Sequence, residues 1–315
     1  MAEAIEISSL PLWKGYNDGS TILSKKLLLA AQRYRLFYRK TLMNKIFVAY
    51  KPTGLSSNQF LGRLKRKYKV KKAGYSGTLD PFAKGVLIIA FGNFTRFFRF
   101  LHKAPKSYRA TLWLGAESDT LDIEHVTDPK IIEPFAQEQI LSVLESLKGE
   151  LEYTPPIFCA KKIDGVRAYE LARAGEEVEL KKIRSTIFDI SLIHYCHPFV
   201  TFEATVSEGT YIRSLGEIIS QKLGVAGSLS ALERLREGSF CYNNENPISP
   251  LDALNMPRIS FDGEMEDIWL GKKISVASLS TDQDGIYLLH DEQLAAVIEI
   301  KNKKVSYLLN KVPLC

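Results

Sequence analysis

The 315-residue sequence is poor in cysteine and holds no long apolar run, no phosphate-cradling glycine motif and no internal repeat. Its four cysteines, Cys159, Cys196, Cys241 and Cys315, lie far apart and form no C-x-x-C pair. That excludes a structural zinc cluster and a secreted disulfide scaffold, and fits a reducing cytoplasm. The one group of metal-ligand types is His194-Tyr195-Cys196-His197. Adjacent side chains of a strand point to opposite faces, so at most two ligands share a side. No metal is expected. No apolar stretch approaches the roughly 18 residues of a membrane span, and no secretory leader is expected. With neither G-x-x-x-x-G-K-[ST] nor G-x-G-x-x-G present, a nucleotide hydrolase lacks its usual phosphate grip.

What is present is an ordinary soluble composition, 45% apolar and 25% charged. The length suits one large domain plus a small one. A net charge of +6 and a pI near 8.9 favour an acidic partner. The charge is concentrated, with Lys65-Arg66-Lys67-Tyr68-Lys69-Val70-Lys71-Lys72 directly before Gly74-Tyr75-Ser76-Gly77-Thr78-Leu79-Asp80-Pro81. Beside that loop the basic run is placed for phosphate contact. Pro81 pushes Asp80 towards extended geometry and sets its carboxylate at the end of a turn.

Residues 1–43 read as a basic, partly amphipathic extension with a second methionine, Met43, at its end. From Asn44 the pattern predicts a strand at Ile46–Ala49, then a turn through Tyr50-Lys51-Pro52-Thr53-Gly54. A helix follows, capped by Ser56 or Ser57, with Phe60, Leu61 and Leu64 inward. Val86–Phe91 predicts a buried strand, Phe94–Leu101 a helix capped by Asn93, and Lys106–Leu114 a strand ending at Gly115. An amphipathic helix is expected over Pro134–Lys148, stopped by Gly149. Residues 150–182 look like a turn-rich excursion carrying Lys161, Lys162, Arg167, Tyr169 and Arg173. Strands are expected at Ile183–Tyr195 and Val200–Val206, then helices at Ser214–Lys222 and Ser228–Arg236. The Asn- and Pro-rich stretch Asn243–Pro257 marks a boundary between residues 44–250 and 251–315. The short strand-like pieces Ile286–Leu289, Ala295–Ile300 and Val305–Leu309 suit a small C-terminal β-barrel. The expected fold class is α+β, with a mixed, mostly antiparallel sheet flanked by helices and loops.

Three features recur along residues 44–250: one Asp in a Gly-flanked loop, aromatics near cations (Lys106/Tyr108, Tyr211/Arg213), and cationic surface. An Asp that must stay ionised in an enclosed site needs a guanidinium nearby. An aromatic platform beside a lone nucleophile suits an unstacked nucleobase. These residues point to an enzyme acting on RNA or a nucleotide.

Taken in order, the motifs resemble the bacterial tRNA pseudouridine-55 synthase family, of TruB type, from Ile46 to about Phe240. They are Tyr50-Lys51-Pro52-x-Gly54-x-Ser56-Ser57, then Gly74-x-x-Gly77-x-Leu79-Asp80-Pro81-x-Ala83-x-Gly85-Val86-Leu87, then Lys106-x-Tyr108. Leu114-Gly115-x-x-x-Asp119-Thr120-x-Asp122 and Pro155-Pro156…Ala160-x-Lys162…Gly165-x-x-Ala168-Tyr169 follow. The series ends with Gly209-Thr210-Tyr211-Ile212-Arg213-Ser214 and Leu232-x-Arg234-Leu235. The tail resembles the small PUA-type RNA-binding barrel.

The resemblance implies isomerisation of uridine 55 in the tRNA T loop, by base flipping, without metal or organic cofactor and by a monomer. Asp80 is then the nucleophile and Arg213 its partner, while Tyr108 packs on the flipped base and is a candidate to take a sugar proton. Tyr211 lines the pocket and Leu235 walls it. Lys51, Asp119, Lys162 and Tyr169 are candidate RNA contacts, and the 150–182 excursion grips the RNA. One departure is visible: the family's usual His after the first Gly of the aspartate motif is Tyr75 here, a ring able to stack but not to carry charge at neutral pH. The alternative is a non-catalytic tRNA-binding or tRNA-folding protein on the same scaffold.

Overall fold

A computed structural model describes residues 44–314 apart from 128, 160, 164 and 293; the extension 1–43 lies outside the described residues. The main sheet is mixed and largely antiparallel. Its path runs β1 (Lys45–Lys51), β3 (Lys84–Phe91), β10 (Gly227–Glu237), β4 (Lys106–Leu114), β9 (Phe199–Val206), β8 (Ile183–Cys196) and β5 (Gly149–Tyr153). Strand β2 (Ala73–Ser76) pairs with β3, and only the β3–β10 pair is parallel. Strands β6 (Lys162–Ile163) and β7 (Val166–Arg167) form a separate hairpin inside the excursion.

Helix α1 (Ser57–Lys67) starts at Ser56, whose hydroxyl accepts from the Gln59 amide while the Gln59 side chain accepts from the Ser56 amide. Phe60, Leu61 and Leu64 are its buried face, packed on Phe47, Leu87, Ile89 and Phe91 of β1 and β3. Further along, the same face of the sheet carries the larger core, built from β4, β8, β9 and β10 against α2 (Gln137–Glu145) and α4 (Ile212–Lys222). Between these helices lies α3 (Ala168–Arg173), on the excursion.

Three expected helices differ. Phe94–Leu101 is part of a 3₁₀ segment, Gly92–Phe100, and Asn93 does not cap it; the Asn93 amide instead donates to Asn44. A three-residue turn eclipses i and i+3, and Phe94, Phe97 and Phe100 repeat at that spacing on one apolar cluster. The second helix begins at Gln137, not Pro134, because the Phe135 amide is drawn to the Tyr195 hydroxyl of β8.

The third correction is the largest: Ser228–Arg236 is strand β10. It pairs with β4 through two bulges, between Leu229 and Ala231 and between Arg234 and Arg236. Each bulge adds a residue without a cross-strand partner. The register then puts Leu229, Leu232, Arg234 and Glu237 opposite Leu112, Ala110, Tyr108 and Lys106, all on one face. The resulting 3-2-3 spacing imitates a helical period.

The C-terminal residues form a three-stranded antiparallel sheet, β11 (Gly285–His290), β12 (Leu294–Lys301) and β13 (Lys304–Pro313), with short helices α5 (Pro250–Leu254) and α6 (Met265–Leu270). Leu288, Val297, Leu309 and Val312 share a cluster with Ile46, Val86 and Phe97 of the main sheet. Arg96 and Arg99 of the 3₁₀ segment donate to the carbonyls of Asn310 and Leu308.

Candidate active site

The sequence from β2 to β3 forms the floor of a cleft of about 610 Å³. Gly77, Asp80, Tyr108, Cys159, Tyr211, Arg213, Leu232 and Arg234 are among its lining residues. The loop bearing Asp80 is fixed from below. The Ser57 hydroxyl, buried at the start of α1, donates to the Leu79 carbonyl (3.0 Å) and accepts from the Leu79 amide (2.9 Å). The Gly54 amide donates to the Pro81 carbonyl, and the Ala83 amide closes a turn on Asp80.

Arg213, in the first turn of α4, is buried and spends every side of its guanidinium. Its Nε lies 3.0 Å from Asp80 Oδ2. Nη1 donates to the Thr120 carbonyl (2.7 Å) and faces Asp122 Oδ2 (3.3 Å), and Nη2 donates to the Phe158 carbonyl (2.8 Å). Asp122 is equally buried, with Oδ1 accepting from the Thr120 hydroxyl and the Glu124 amide. The planar fork of Arg is what permits these simultaneous contacts; a lysine ammonium could not make them. Enclosure pushes the Asp80 carboxyl above its ordinary range; Arg213 pulls against that, and Asp122 and Glu124 add to it. The guanidinium therefore moderates the rise without reversing it.

Tyr108 and Tyr211 both line the cleft, one from a strand and one from the start of a helix. Tyr108 stands on β4, buried, with its hydroxyl hydrogen-bonded to Arg234. Burial pushes its phenol up, against the pull of Arg234, so the ring is neutral at pH 7. Tyr211 stands at the N-terminal cap of α4, its amide donating to the Tyr153 hydroxyl (2.9 Å), while its own hydroxyl meets the Cys159 thiol. Burial raises this phenol too.

Beneath Gly77 lies a buried charged layer. Arg234 Nε donates to the Val86 carbonyl (2.9 Å) and Nη2 to the Gly77 carbonyl (3.1 Å). Glu237 bridges Arg234 (3.4 Å) and Lys106 (3.3 Å) and accepts from the Ser76 hydroxyl (3.2 Å). Gly77 has φ +67°, and a Cβ there would lie 3.1 Å from both Arg234 and Glu237, so the position requires glycine on two counts.

The structure brings Asp80, Tyr108, Tyr211 and Arg213 to one cleft and disperses the other candidates. Lys51 is wholly buried: its ammonium faces the carbonyls of Pro52, Leu55 and Pro81, which leaves no donor for RNA. The β1 strand is buried on both faces, so no alternation in the sequence marks Lys51 as inward. Leu235 is the bulged residue of β10 and is absent from the cleft wall; Leu232 and Arg234 stand there. Asp119 is exposed on a turn, and Asp122, three residues on, is the carboxylate that meets Arg213. Tyr75 pairs with Ile89 and packs on the α1 side with Leu55, Tyr68 and Val70. It is not a cleft-lining residue. Tyr169 lies on α3 between Arg167 and Arg173, each over its ring. Lys162 is in β6, and its side chain lies outside the described residues. Sequence reasoning passed over Ser57, Asp122, Leu232 and Glu237 as site residues, although the first three stand inside the quoted motifs.

A second hollow, about 730 Å³, lies behind Pro81 and Phe82. Its two cations are paired, Lys84 with Glu233 and Arg109 with Glu203, and none of Asp80, Tyr108, Tyr211 or Arg213 lines it, so the chemistry belongs to the Asp80 cleft. Among the described residues no group of three His, Cys, Asp or Glu side chains is arranged to hold a metal, and no helix is long and apolar enough to cross a membrane.

Compared with known proteins, the family described as "TruB family pseudouridylate synthase (N terminal domain)" matches residues 65–212. The tRNA pseudouridine synthase B of Sulfurimonas denitrificans is 56% identical over 271 residues, 86% of this chain and 99% of the relative. This chain belongs to the TruB family. The tRNA pseudouridine synthase B of Campylobacter curvus is 52% identical over 273 residues, 87% of this chain and all of that relative. Among solved structures, one titled "Crystal Structure of a Cbf5-Nop10-Gar1 Complex" superposes with a TM-score of 0.62 over 86% of this chain and 85% of its own, at 19% identity. That likeness is one of fold, and it supports the mixed-sheet architecture of this TruB family member.

Proposed function

We propose that this protein isomerises uridine 55 in the T loop of tRNA to pseudouridine, using Asp80 as nucleophile and no cofactor. The observation that carries the reading is the Asp80–Arg213 pair at 3.0 Å on the floor of a cleft flanked by two tyrosines. Family membership and the names of its relatives agree with it. The target nucleotide must leave its stack to reach a carboxylate in this position. Asp80 attacks the flipped nucleotide, the C1′–N1 bond breaks, the base turns, C5 bonds to C1′, and the bond to Asp80 breaks to return the free carboxylate. The C5 proton passes to solvent and N1 gains one, so the atoms balance.

In this scheme Arg213 orients Asp80 and holds it ionised against the cost of enclosure. Tyr108 packs on the base. Its raised phenol argues against the proton-accepting role at the sugar, because a neutral hydroxyl is a weak base. Tyr211 and Leu232 complete the walls. The excursion at 150–182 and the C-terminal module at 251–315 are assigned to grip the RNA, the latter as a PUA-like domain.

The test is release of tritium from C5-labelled uridine in a tRNA transcript, with wild type and Asp80→Asn. Release by the wild type and none by the variant is expected. Binding without release by the wild type overturns the enzymatic reading and favours a tRNA-folding role. Normal turnover by Asp80→Asn overturns the nucleophile assignment.

A further inference from the structure

The cleft mouth holds three charges that the proposed chemistry does not use. Lys106, at the start of β4, has a side chain only 8% exposed; on its inner side it faces the buried Glu237 at 3.3 Å. On its outer side it faces Glu208 Oε1 at 3.8 Å. The same Glu208 oxygen lies 3.5 Å from Lys103 Nζ. Glu208 sits on the turn between β9 and α4 beside Gly209, and both residues line the cleft with Asp80.

Both outer separations exceed the usual N–H···O length of about 2.7–3.2 Å. The Glu208 carboxylate therefore rests between two ammonium groups without a close hydrogen bond to either. Its side chain is 53% exposed, and ion pairs open to water contribute little. The lysines are the fixed partners: Lys106 is walled in, and the Lys103 side chain is 21% exposed. Two held cations thus meet one removable anion at the entrance to a site whose proposed substrate is a polyanion.

We propose that Lys103 and Lys106 form a phosphodiester subsite at the cleft mouth, occupied in the free protein by the Glu208 carboxylate and taken over by a backbone phosphate of the bound RNA. The inference rests on the RNA-substrate reading above. A phosphodiester carries one negative charge and two free oxygens, so it can accept from both ammonium groups, where Glu208 offers them one shared oxygen. The exchange is charge for charge: Lys103, Lys106, Glu208 and Glu237 sum to zero, and the sum is unchanged when phosphate replaces Glu208. Glu208, already more than half in water, is rehydrated as it swings out. A phosphate entering here displaces a protein anion and releases fewer solution ions than at an open lysine.

The test is equilibrium binding of a full-length tRNA transcript to the full chain across a salt series, with Glu208→Gln, Lys103→Ala and the double variant. All three changes are at the surface and leave the core intact. Glu208→Gln is expected to tighten binding several-fold and to steepen the fall of log K with log salt by about 0.7–1, the weight of one unmasked phosphate contact. Lys103→Ala should weaken binding more in the Glu208→Gln background than in the wild type, where the lysine is masked. An equal loss in both backgrounds overturns the proposal, because Glu208 then acts only by distant repulsion. So does unchanged affinity in Glu208→Gln. Tritium release assayed on the same samples separates the two readings: a wild type that binds without turnover sinks the isomerase and leaves the subsite standing.

Discussion

Arg213 meets Asp80 through Nε, at 3.0 Å, and reserves both terminal nitrogens for Thr120, Asp122 and Phe158. The nucleophile is thus held by the one donor that the rest of the network leaves over. Arg213→Lys keeps a charge but cannot reproduce a fork with contacts on every side. Single-turnover rates should fall by about 10²–10³, the scale of losing an aligned electrostatic partner, while tRNA affinity stays near wild type. Affinity falling in step with rate would show that Arg213 serves binding, not orientation of Asp80.

Enclosure raises the Asp80 carboxyl, and this has two consequences of known sign. The acid limb of kcat/KM, which reports the free enzyme, should lie above the ordinary Asp range, because attack needs the carboxylate. The folded state also holds that proton more tightly than the unfolded chain. Its contribution to stability is present at acid pH and is lost as pH rises through the folded value. Asp80→Asn removes a charge that is disfavoured at pH 7, so thermal unfolding of the variant at pH 7 should occur at a higher temperature, with turnover lost by at least roughly 10⁴-fold. A lower midpoint would mean that the pairing with Arg213 outweighs the burial.

Lys51 lies wholly inside the protein, and burial brings its ammonium down to about 8, with Asp80 opposing the fall. For a lysine the lowered value means that the folded state pays for its charge below pH 8 and is relieved above it. Activity should therefore change near pH 8, as the positive charge that supports Asp80 is lost. Lys51→Met removes that charge and the donors to Pro52, Leu55 and Pro81. The pH profile of kcat/KM for this variant should lose its limb near 8; an intact limb would assign it to another group.

How much of this could be read in advance depended on whether local spacing matched the face buried. The α1 cap, the β3 run and the Asp80 loop were legible because Ser56–Gln59, the apolar block at 86–91 and Pro81 each act within a few residues. Charge logic called for a guanidinium beside the enclosed carboxylate, and the family resemblance pointed to Arg213 as the one. Strand β10 was illegible because its bulges replace the two-residue period by 3-2-3. The resemblance pointed to Leu235 as a cleft wall, whereas the bulged register puts Leu232 and Arg234 there. The face taken by Tyr75 depends on pairing with Ile89, and the choice of Asp122 over Asp119 depends on how one loop turns. Both are long-range facts with no local sign.

The same bulge at Leu235 brings Arg234 and Glu237 to one side of β10, and a separate prediction rests on that layer. Glu237 is wholly buried and is the carboxylate shared by Arg234 and Lys106 directly beneath Gly77. Glu237→Ala strands two buried cations and leaves a gap, which should cost about 3–5 kcal/mol of stability. Glu237→Gln keeps the volume and a carbonyl acceptor for the Lys106 ammonium and the Ser76 hydroxyl, and should cost less. Because Arg234 touches both the Gly77 carbonyl and the Tyr108 hydroxyl, loosening it shifts the loop and the ring together. Denaturant unfolding and single-turnover rates of the two variants decide the point. If Glu237→Ala unfolds like the wild type, the layer is not a support for the aspartate loop.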